Sequence, residues 1–312
     1  MLSTTSISLS NLIKRFASTV AIDRLTFDVR HGEIFGLVGP DGAGKTTTLR
    51  ILAGVLAADA GSVMMEGCDV LRAPEQAKHL LSYMPQRFGL YEDLTVDENI
   101  RFYADLFGVN RSVREQQSAK LLSAAGMAEF RRRLAGKLSG GMKQKLGLVC
   151  ALIHTPKVIL LDEPTTGVDP VSRRDFWKVL YELALQGVSI ITSTAYLVEA
   201  ERCHRVALLD RGKLLFCDTP SQLKQRLGKD VVAVTSAEPR RVRDALTTAE
   251  GISTLVLTGD GVHAVVDAAD LRIPEFKSRL SAAHVPFDEL VIAQPSIEDL
   301  FVDTVTREGR SQ

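Results

Sequence analysis

A short glycine-rich stretch constrains this chain more than any other part of its sequence. It runs Gly39-Pro40-Asp41-Gly42-Ala43-Gly44-Lys45 and is followed by Thr46 and Thr47. The apolar run 34–38 before it predicts a buried strand, and residues 47–53 predict a helix. Strand, glycine-rich turn and helix N-terminus are the context of a phosphate-binding loop, or P-loop. Glycine lets backbone N–H groups turn inward around an anion, and the helix dipole adds positive potential there. We therefore expect nucleotide binding, with Lys45 at the β- and γ-phosphates and the Thr46 hydroxyl at Mg²⁺.

Composition narrows the class of protein. The chain has 312 residues, enough for two domains, and 45% of them are hydrophobic. Its formal net charge of +0 provides no electrostatic attraction to nucleic acid or anionic lipid. No stretch approaches the roughly 20 apolar residues of a membrane-spanning helix, and residues 1–10 lack a signal-peptide pattern. We expect a soluble chain in the cytoplasm, with reduced cysteines and no nucleic-acid partner.

Two strands with alternating polarity are predicted before the P-loop. Residues 6–9 and 25–29 alternate apolar and polar side chains, which favours an antiparallel edge sheet. Phe16 lies between them. An aromatic ring at this place is able to stack on an adenine ring, and packing within a hairpin is the alternative.

An apolar strand that ends in two carboxylates is the second chemical feature. Residues 158–161 are apolar and lead directly into Asp162 and Glu163. Burial of two carboxylates without a cation is unfavourable, so the pair indicates a cation site. In a nucleotide hydrolase, Asp162 would hold Mg²⁺ and Glu163 would act as general base on the attacking water.

Helical periodicity predicts an insertion between these two features. Apolar positions recur at helical spacing from Val96 to Val149. Ser139 is a suitable N-cap for a helix that ends near Ile153, and Gly140 and Gly141 permit close backbone approach to an anion.

The pattern changes after Gly228. Predicted elements follow in the order β-α-β-β-α-β, with the second helix at 274–283 and a last helix at 297–306. This order predicts a small ferredoxin-like α+β domain. We expect a first domain at 1–228, with a helical subdomain at about 96–152, and a C-terminal accessory domain at 229–312. A short helix is also predicted at 195–202.

Several motifs in one order resemble the ATP-binding cassette (ABC) ATPases. Leu138 to Gln144 is similar to the ABC signature. Gln86 matches the family's Q-loop glutamine, and the signature-like run lies between Gln86 and Asp162, as in that family. The run 167–169 resembles the D-loop, and Phe16 matches the A-loop aromatic. The resemblance covers about residues 6–225. It implies an α/β P-loop NTPase fold with a RecA-like core, an antiparallel β subdomain and a helical subdomain.

The resemblance also implies which residues do the chemistry. Glu163 and Gln86 are the implied catalytic residues, and Thr46, Gln86 and Asp162 are the implied Mg²⁺ ligands. The implied ATP-binding residues are Phe16, Gly39, Pro40, Asp41, Gly42, Ala43, Gly44, Lys45, Thr46 and Thr47, together with Ser139, Gly140 and Gly141, which would contact the ATP of a partner subunit.

A closer likeness points to transport. Tyr83 to Val96 is similar to the ATPase subunits of ABC-2-type exporters of the drug-resistance group. Residues 39–42 and 137–148 are similar to the N-terminal cassette of YbhF-like subunits, and Pro295 to Phe301 resembles that group's C-terminal domain. The implied activity is ATP hydrolysis that drives export of a drug-like compound. The implied partners are a second cassette, an ABC-2-type transmembrane permease and a periplasmic adaptor, with the chain at the inner face of the membrane and coupled through Gln86 and residues 87–99.

Two residues depart from the family pattern. Asp41 stands where most relatives have asparagine, and Ala195 stands where the family has a switch histidine that contacts the γ-phosphate. Loss of one such transition-state contact typically lowers the rate by about 10²–10³. We therefore predict ATP binding with slow hydrolysis, either in an asymmetric dimer with a fully equipped cassette or in a homodimer that is slow at both sites. A soluble non-transport ABC ATPase and a regulatory ATP-binding subunit are the alternatives.

Overall fold

The computed structural model describes residues 5–86 and 89–310, with side chains as far as Arg307. These residues divide into two compact units. The first comprises the chain up to Glu199 together with Cys203–Cys217, and the second comprises Ala200–Arg202 together with the chain from Asp218 onward. The domain boundary at 228 stays a prediction.

The first unit contains two sheets and seven helices among its described residues. Its strands are β1 (Thr5–Phe16), β2 (Thr19–Arg30), β3 (Ile34–Val38), β4 (Ala60–Met65), β5 (Cys68–Asp69), β6 (Leu81–Met84), β7 (Val158–Asp162), β8 (Ser189–Thr194), β9 (Arg205–Asp210) and β10 (Lys213–Asp218). Its helices are α1 (Lys45–Leu52), α2 (Pro74–Lys78), α3 (Val96–Leu106), α4 (Arg111–Ala124), α5 (Gly140–Leu152), α6 (Pro170–Leu185) and α7 (Leu197–Ala200), with 3₁₀ turns at Ala128–Phe130 and Ala135–Lys137.

A six-stranded sheet forms the centre of the first unit, in the order β10-β9-β3-β8-β7-β6. The strands from β9 to β6 pair in parallel. Every residue of β3 and β7 is buried, because parallel strands are covered on both faces. The carboxyl ends of β3, β7 and β8 therefore lie side by side. The P-loop follows β3, Asp162 and Glu163 stand at the end of β7, and Ala195 follows β8.

The predicted antiparallel sheet is confirmed, in the order β2-β1-β4-β5. Its inward residues, such as Leu9 and Phe27, pack against Phe35 of the central sheet and Leu49 of α1 in one apolar core. The Phe27 and Phe35 rings stack with centroids 4.9 Å apart. This core fixes the end of β1, which carries Phe16, relative to the P-loop.

The predicted helical insertion is also confirmed and has a core of its own. Thr95 begins α3 with a capping box, in which the side chains of Thr95 and Glu98 each accept from the other's backbone N–H. Helices α3, α4 and α5 bury apolar residues against one another, among them Val96, Ile100, Leu122, Leu146 and Cys150. No helix in residues 5–86 and 89–310 combines the length and the apolar character needed to cross a bilayer.

The second unit confirms the ferredoxin-like prediction. It contains α8 (Pro220–Gln225), β11 (Asp230–Thr235), α9 (Pro239–Leu246), β12 (Ile252–Leu257), β13 (Gly261–Val266), α10 (Ala269–Ala282), β14 (Glu289–Ala293) and α11 (Ile297–Arg310). The strands form an antiparallel sheet in the order β12-β13-β11-β14. Helices α9 and α10 share an apolar core with this sheet, and α11 packs on β12 and β13.

Several helix predictions were wrong at their ends, among them those for α1 and α11, and the physical reason is clear for α10 and α7. Helix α10 begins at Ala269 and contains Pro274 in its interior. Ala269, Phe276 and Leu280 are buried along one face, and burying that face outweighs the hydrogen bond that proline cannot donate. Helix α7 covers only Leu197–Ala200 rather than 195–202. At its start, Tyr196 N donates to Thr194 Oγ1 at 3.0 Å, a local turn that delays the helix.

Candidate functional site

The P-loop closes tightly at the end of β3. A Cβ atom at Gly39 would lie 2.2 Å from Leu209 O, and one at Gly44, whose φ is +100°, would lie 2.6 Å from Ala21 O. Only glycine fits both positions. Helix α1 then begins at Lys45, so its N-terminal N–H groups face the loop. The predicted strand, turn and helix N-terminus are all present.

Lys45 is buried in the P-loop. Its side chain is 5% exposed, and its Nζ donates to Gly39 O at 2.8 Å and to Pro40 O at 3.1 Å. The same atom lies 3.6 Å from Glu163 Oε1. The two motifs predicted from distant parts of the sequence therefore meet, with opposite charges, at one point.

Asp162 is the buried anchor of the site. It is 2% exposed, and its Oδ1 accepts from Thr46 Oγ1 at 3.0 Å and from Ser193 Oγ at 2.7 Å. The Tyr83 hydroxyl lies 3.3 Å from Oδ2. Burial and the nearby carboxylate raise the pKa of Tyr83 above its ordinary value of 10.0, so this phenol stays a hydrogen-bond donor.

Glu163 has an unusual backbone conformation. Its φ is +50°, which non-glycine residues rarely adopt and which is typical of strained functional positions. Its N–H is held by Ser193, with N···Oγ 3.0 Å and N···O 3.2 Å. Its Oε2 accepts from Gln86 Nε2 at 3.2 Å and from Thr166 Oγ1 at 3.4 Å. The strained turn and these contacts aim the carboxylate at Lys45.

One cleft of about 510 Å³ is lined by residues 41–47 of the P-loop together with Gln86 and Glu163, and the buried Asp162 is not part of its lining. Phe16 is at its edge, 48% exposed, with Lys14 Nζ 5.4 Å from the ring centroid. Asp41 is exposed and also lines the cleft. The lining consists of Phe16, Thr19, Val20, Ala21, Asp41, Gly42, Ala43, Gly44, Lys45, Thr46, Thr47, Gln86 and Glu163. The structure thus brings the predicted aromatic, the P-loop and both catalytic candidates together.

The predicted signature residues lie elsewhere and are not part of that lining. Ser139 caps α5 by accepting from Met142 N at 3.3 Å, as predicted. Gly140 is exposed, whereas Gly141 is buried against α6. A Cβ at Gly141 would lie 2.6 Å from both Cβ and Oγ of Ser172. Gly141 is therefore required by packing within this chain, independently of any anion.

The position of the missing histidine is next to the site. Ala195 is exposed and follows β8, and Gly39 N donates to Thr194 O at 3.4 Å, which joins the P-loop to this segment. Two other histidines have structural contacts, and the first of them, His204, is exposed. His204 Nδ1 accepts from Ile34 N at 2.9 Å, and the His154 ring stacks on Phe107 at 3.8 Å.

Comparison with known proteins places this geometry in a family. The family model described as "ABC transporter" matches residues 22–166. The Nod factor export ATP-binding protein I of Burkholderia pseudomallei (strain 1710b) is 35% identical over 299 residues, which cover 95% of each chain. The chain belongs to the ABC transporter family. The probable multidrug ABC transporter ATP-binding protein YbhF of Escherichia coli (strain K12) is 41% identical over 98% of this ABC chain. The chain spans about half the length of that relative, 53%.

A solved structure supports the same assignment of fold. A protein titled "Structure of ATP binding subunit of ABC transporter" superposes with a TM-score of 0.65 and 28% identity, covering 72% of this chain and 94% of its own. The prediction of an ABC cassette is thereby confirmed.

Sequence reasoning missed three residues of this ABC site. Ser193 joins Asp162 to the Glu163 backbone, Tyr83 contacts Asp162, and Thr166 contacts Glu163. Ser193 and Tyr83 lie near the carboxyl ends of β8 and β6, beside the end of β7. The rule that functional groups gather at the carboxyl ends of parallel strands is the signal that would have found both.

Proposed function

We propose that the chain is the ATP-hydrolysing subunit of an ABC exporter. One observation carries the proposal: Lys45 Nζ lies 3.6 Å from Glu163 Oε1, and Thr46 Oγ1 lies 3.0 Å from Asp162 Oδ1. A phosphate-binding lysine, a second carboxylate beside it, and a hydroxyl bonded to a buried carboxylate are the groups that phosphoryl transfer from ATP to water requires.

Each part of the cleft has a role in this proposal. The P-loop N–H groups and Lys45 bind the phosphates, and Phe16 at the cleft edge stacks on the adenine. Thr46 and Asp162 fit Mg²⁺, because Mg²⁺ is usually held by one or two protein oxygens plus phosphates, with Gln86 as a further oxygen ligand. When bound, Mg²⁺ would neutralise charge on the phosphates.

Glu163 is the proposed general base. Its carboxylate accepts from Gln86 and Thr166 while its backbone is fixed by Ser193, so it is held in one orientation. A positioned base of this kind typically contributes about 10²–10⁴ in rate. Ala195 has no polar side chain to assist, so we propose that turnover at this P-loop is slow.

The proposed assembly is a dimer in which Ser139, Gly140 and Gly141 of one cassette complete the ATP site of the other. An asymmetric dimer with a fully equipped second cassette and a homodimer that is slow at both sites remain the two forms of this proposal. ATP would favour the closed dimer through its higher affinity for that state, and hydrolysis would reset it.

An apolar groove supports a permease as partner. Val55, Leu81, Tyr103, Leu106 and Phe107 line a groove of about 220 Å³, with Val55 59% and Leu106 66% exposed. Tyr83, which contacts Asp162, lines the same groove and so connects it to the ATP site. We propose that an apolar segment of an ABC-2-type permease binds here and places the chain at the inner face of the membrane. Arg87 and Phe88, part of the predicted coupling segment, lie outside the described residues.

The names of the relatives suggest the cargo. One is a probable multidrug protein and the other a Nod factor export protein. We propose export of a drug-like or amphipathic compound, with a periplasmic adaptor in the complex and residues 229–312 as an accessory domain. The rival, a non-transport ABC ATPase, predicts co-purification with RNA or DNA instead of membrane protein.

Calorimetry and ATPase assays test the proposal. Titration of the full chain with Mg-ATP should give saturable binding, and the unaltered chain should hydrolyse ATP slowly. An Ala195→His variant should turn over faster, by up to about 10²–10³. No heat of binding would sink the proposal, and equal rates would remove Ala195 as the limiting feature.

A further inference from the structure

Arg173, on α6, contacts two separate segments near the hydrolytic site. Its Nη2 donates to Val168 O at 3.3 Å and to Thr165 O at 3.5 Å. Its Nε lies 3.3 Å from Glu199 Oε1, and its guanidinium carbon lies 5.6 Å from the centroid of the Tyr196 ring. We name these five residues the Arg173 clasp. A guanidinium presents several donors in a fixed fork, so one side chain is able to hold all of these partners together.

The segments that the clasp joins are those that carry the catalytic candidate and the altered switch position. Thr165 follows Glu163 by two residues, and Val168 lies in the D-loop-like run. Tyr196 directly follows Ala195. The clasp therefore connects the loop 163–169 to the segment 195–199.

Two polar members of the clasp, Thr165 and Glu199, are buried and hydrogen-bonded to each other. Thr165 is 2% exposed and Glu199 3% exposed, and Thr165 Oγ1 donates to Glu199 Oε1 at 2.6 Å. A buried carboxylate is stable only when it is paired and hydrogen-bonded, so Glu199 holds Arg173 in this place. Arg173 in turn holds the two loop carbonyls.

We infer that Arg173 is a positioning residue for ATP hydrolysis, an inference that rests on the proposed function. It holds the loop 163–169 against the segment 195–199 and so keeps the Glu163 carboxylate aimed into the cleft. Ala195 has no side-chain hydrogen bond with which to align the base and water. Alignment in this chain therefore depends on how firmly the loop itself is held, and small displacements of a catalytic group have large effects on rate.

Three variants of the full chain test the inference. Arg173→Met removes the fork and keeps the apolar stem. Arg173→Met combined with Glu199→Gln removes both charges, so that no buried carboxylate is left unpaired. In that double variant the amide oxygen introduced at position 199 would still accept from Thr165. Arg174→Met is the matched control, because Arg174 is the neighbouring arginine of α6 and is exposed.

The inference predicts a split between turnover and binding. In Arg173→Met and in the double variant, kcat should fall by about 10- to 100-fold while KM and the calorimetric Kd for Mg-ATP stay unchanged. The double variant should recover the thermal stability that the single variant loses, without recovering kcat. Arg174→Met should match the unaltered chain in all three measurements.

Two results would overturn the inference. One is an Arg173→Met variant with unaltered kcat, and the other is a double variant whose kcat returns together with its stability, which would indicate a purely structural role. Failure of the proposed function is distinguishable from both, because the unaltered chain would then neither bind nor hydrolyse Mg-ATP.

Discussion

Asp162 in the first unit and Asp303 in the second are both buried carboxylates, and they differ in what they contact. In the first unit, Asp162 accepts side-chain hydrogen bonds from the hydroxyls of Thr46, Ser193 and Tyr83. In the second, Asp303 is 3% exposed and contacts Lys229 at 3.3 Å. A carboxylate held by neutral hydroxyls keeps its charge available to an external cation, whereas one paired to a cation of its own chain stabilises the fold.

Asp299, also in the second unit, resembles Asp303 because it is buried and paired with a basic side chain of its own chain. It is 0% exposed, and both of its oxygens lie 3.2 Å from His263 Nδ1. Ser296 also donates to it, from N at 2.8 Å and from Oγ at 2.7 Å. Helix α11 is thus attached to its sheet by two buried carboxylates one turn apart. The comparison teaches that burial of a carboxylate does not by itself mark a binding site. The groups that the carboxylate contacts distinguish a binding site from a structural ion pair.

The largest expected effect is at Glu163. A Glu163→Gln variant keeps an oxygen that accepts from Gln86 but removes the proposed base, so kcat should fall by about 10²–10⁴ with Mg-ATP affinity retained. Steady-state ATPase assays and calorimetry measure the two quantities. Glu182→Gln, on the exposed side of α6, is the matched control. An unchanged kcat at Glu163→Gln would place the base elsewhere.

Lys45 should show the next largest effect, this time on binding. Lys45→Ala removes the buried ammonium, and a hydrogen bond to a charged group contributes about 1.5–3 kcal/mol. The Kd for Mg-ATP should therefore rise by about 10- to 100-fold. Lys213→Ala, at an exposed lysine of β10, should bind normally. Equal affinity in the two variants would contradict the role of Lys45.

A change at Asp303 should lower stability and leave binding intact. Asp303→Asn weakens the contacts to Lys229, to Thr254 Oγ1 at 3.2 Å and to Arg307 at 3.0 Å. Chemical denaturation followed in the second unit should show a loss of about 1–3 kcal/mol, and the Kd for Mg-ATP should not change. Asp270→Asn, exposed on α10, is the control. A parallel loss of ATP affinity would break the distinction between the two kinds of carboxylate.

The smallest expected effect is a pH dependence at His263. The hydrogen bond to Asp299 raises the pKa of His263 above its ordinary 6.5 although burial opposes the shift, and Asp260 and Glu298 add to the rise. Burial acts to raise the pKa of Asp299, but the hydrogen bonds from His263 and Ser296 outweigh it, so that pKa is lowered from 3.8.

The sign of the effect follows from these two shifts. The histidine contributes stability fully below 6.5 and loses it as pH rises through its raised pKa, and the carboxylate contributes above 3.8. A His263→Asn variant should therefore lose more free energy of unfolding at about pH 5.5 than at about pH 8.5. A loss that is equal at both values would mean that the histidine is neutral in the folded chain.

The sequence predicted the parts of this molecule that depend on local patterns. Glycine spacing located the P-loop, and an apolar run ending in acids located Asp162 and Glu163. The order of elements after Gly228 predicted the ferredoxin-like unit. These succeeded because a strand end, a turn and a helix N-terminus are specified by adjacent residues.

Features that depend on tertiary contacts were not predicted. The interior Pro274 was placed at a helix start, because only the burial of Ala269 in the core of the second unit reveals the turn before it. Ser193 and Tyr83 contact Asp162 from other strands, and only the rule about carboxyl ends of parallel strands points to them. Arg173 contacts the segments beside the site from α6, and no local sequence pattern predicts those contacts. The positive φ of Glu163 was also not predictable from the sequence, since glutamate has no preference for that conformation.

The close approach of Gly141 to Ser172 limits what genetics can reveal about the proposed dimer. Any larger residue at 141 would push α5 from α6 inside its own polypeptide, so a dominant-negative allele there would mix misfolding with a damaged subunit contact. Gly140 is exposed and has only Gly167 O nearby, at 3.9 Å. Alleles at 140 are therefore the informative ones for complementation between subunits.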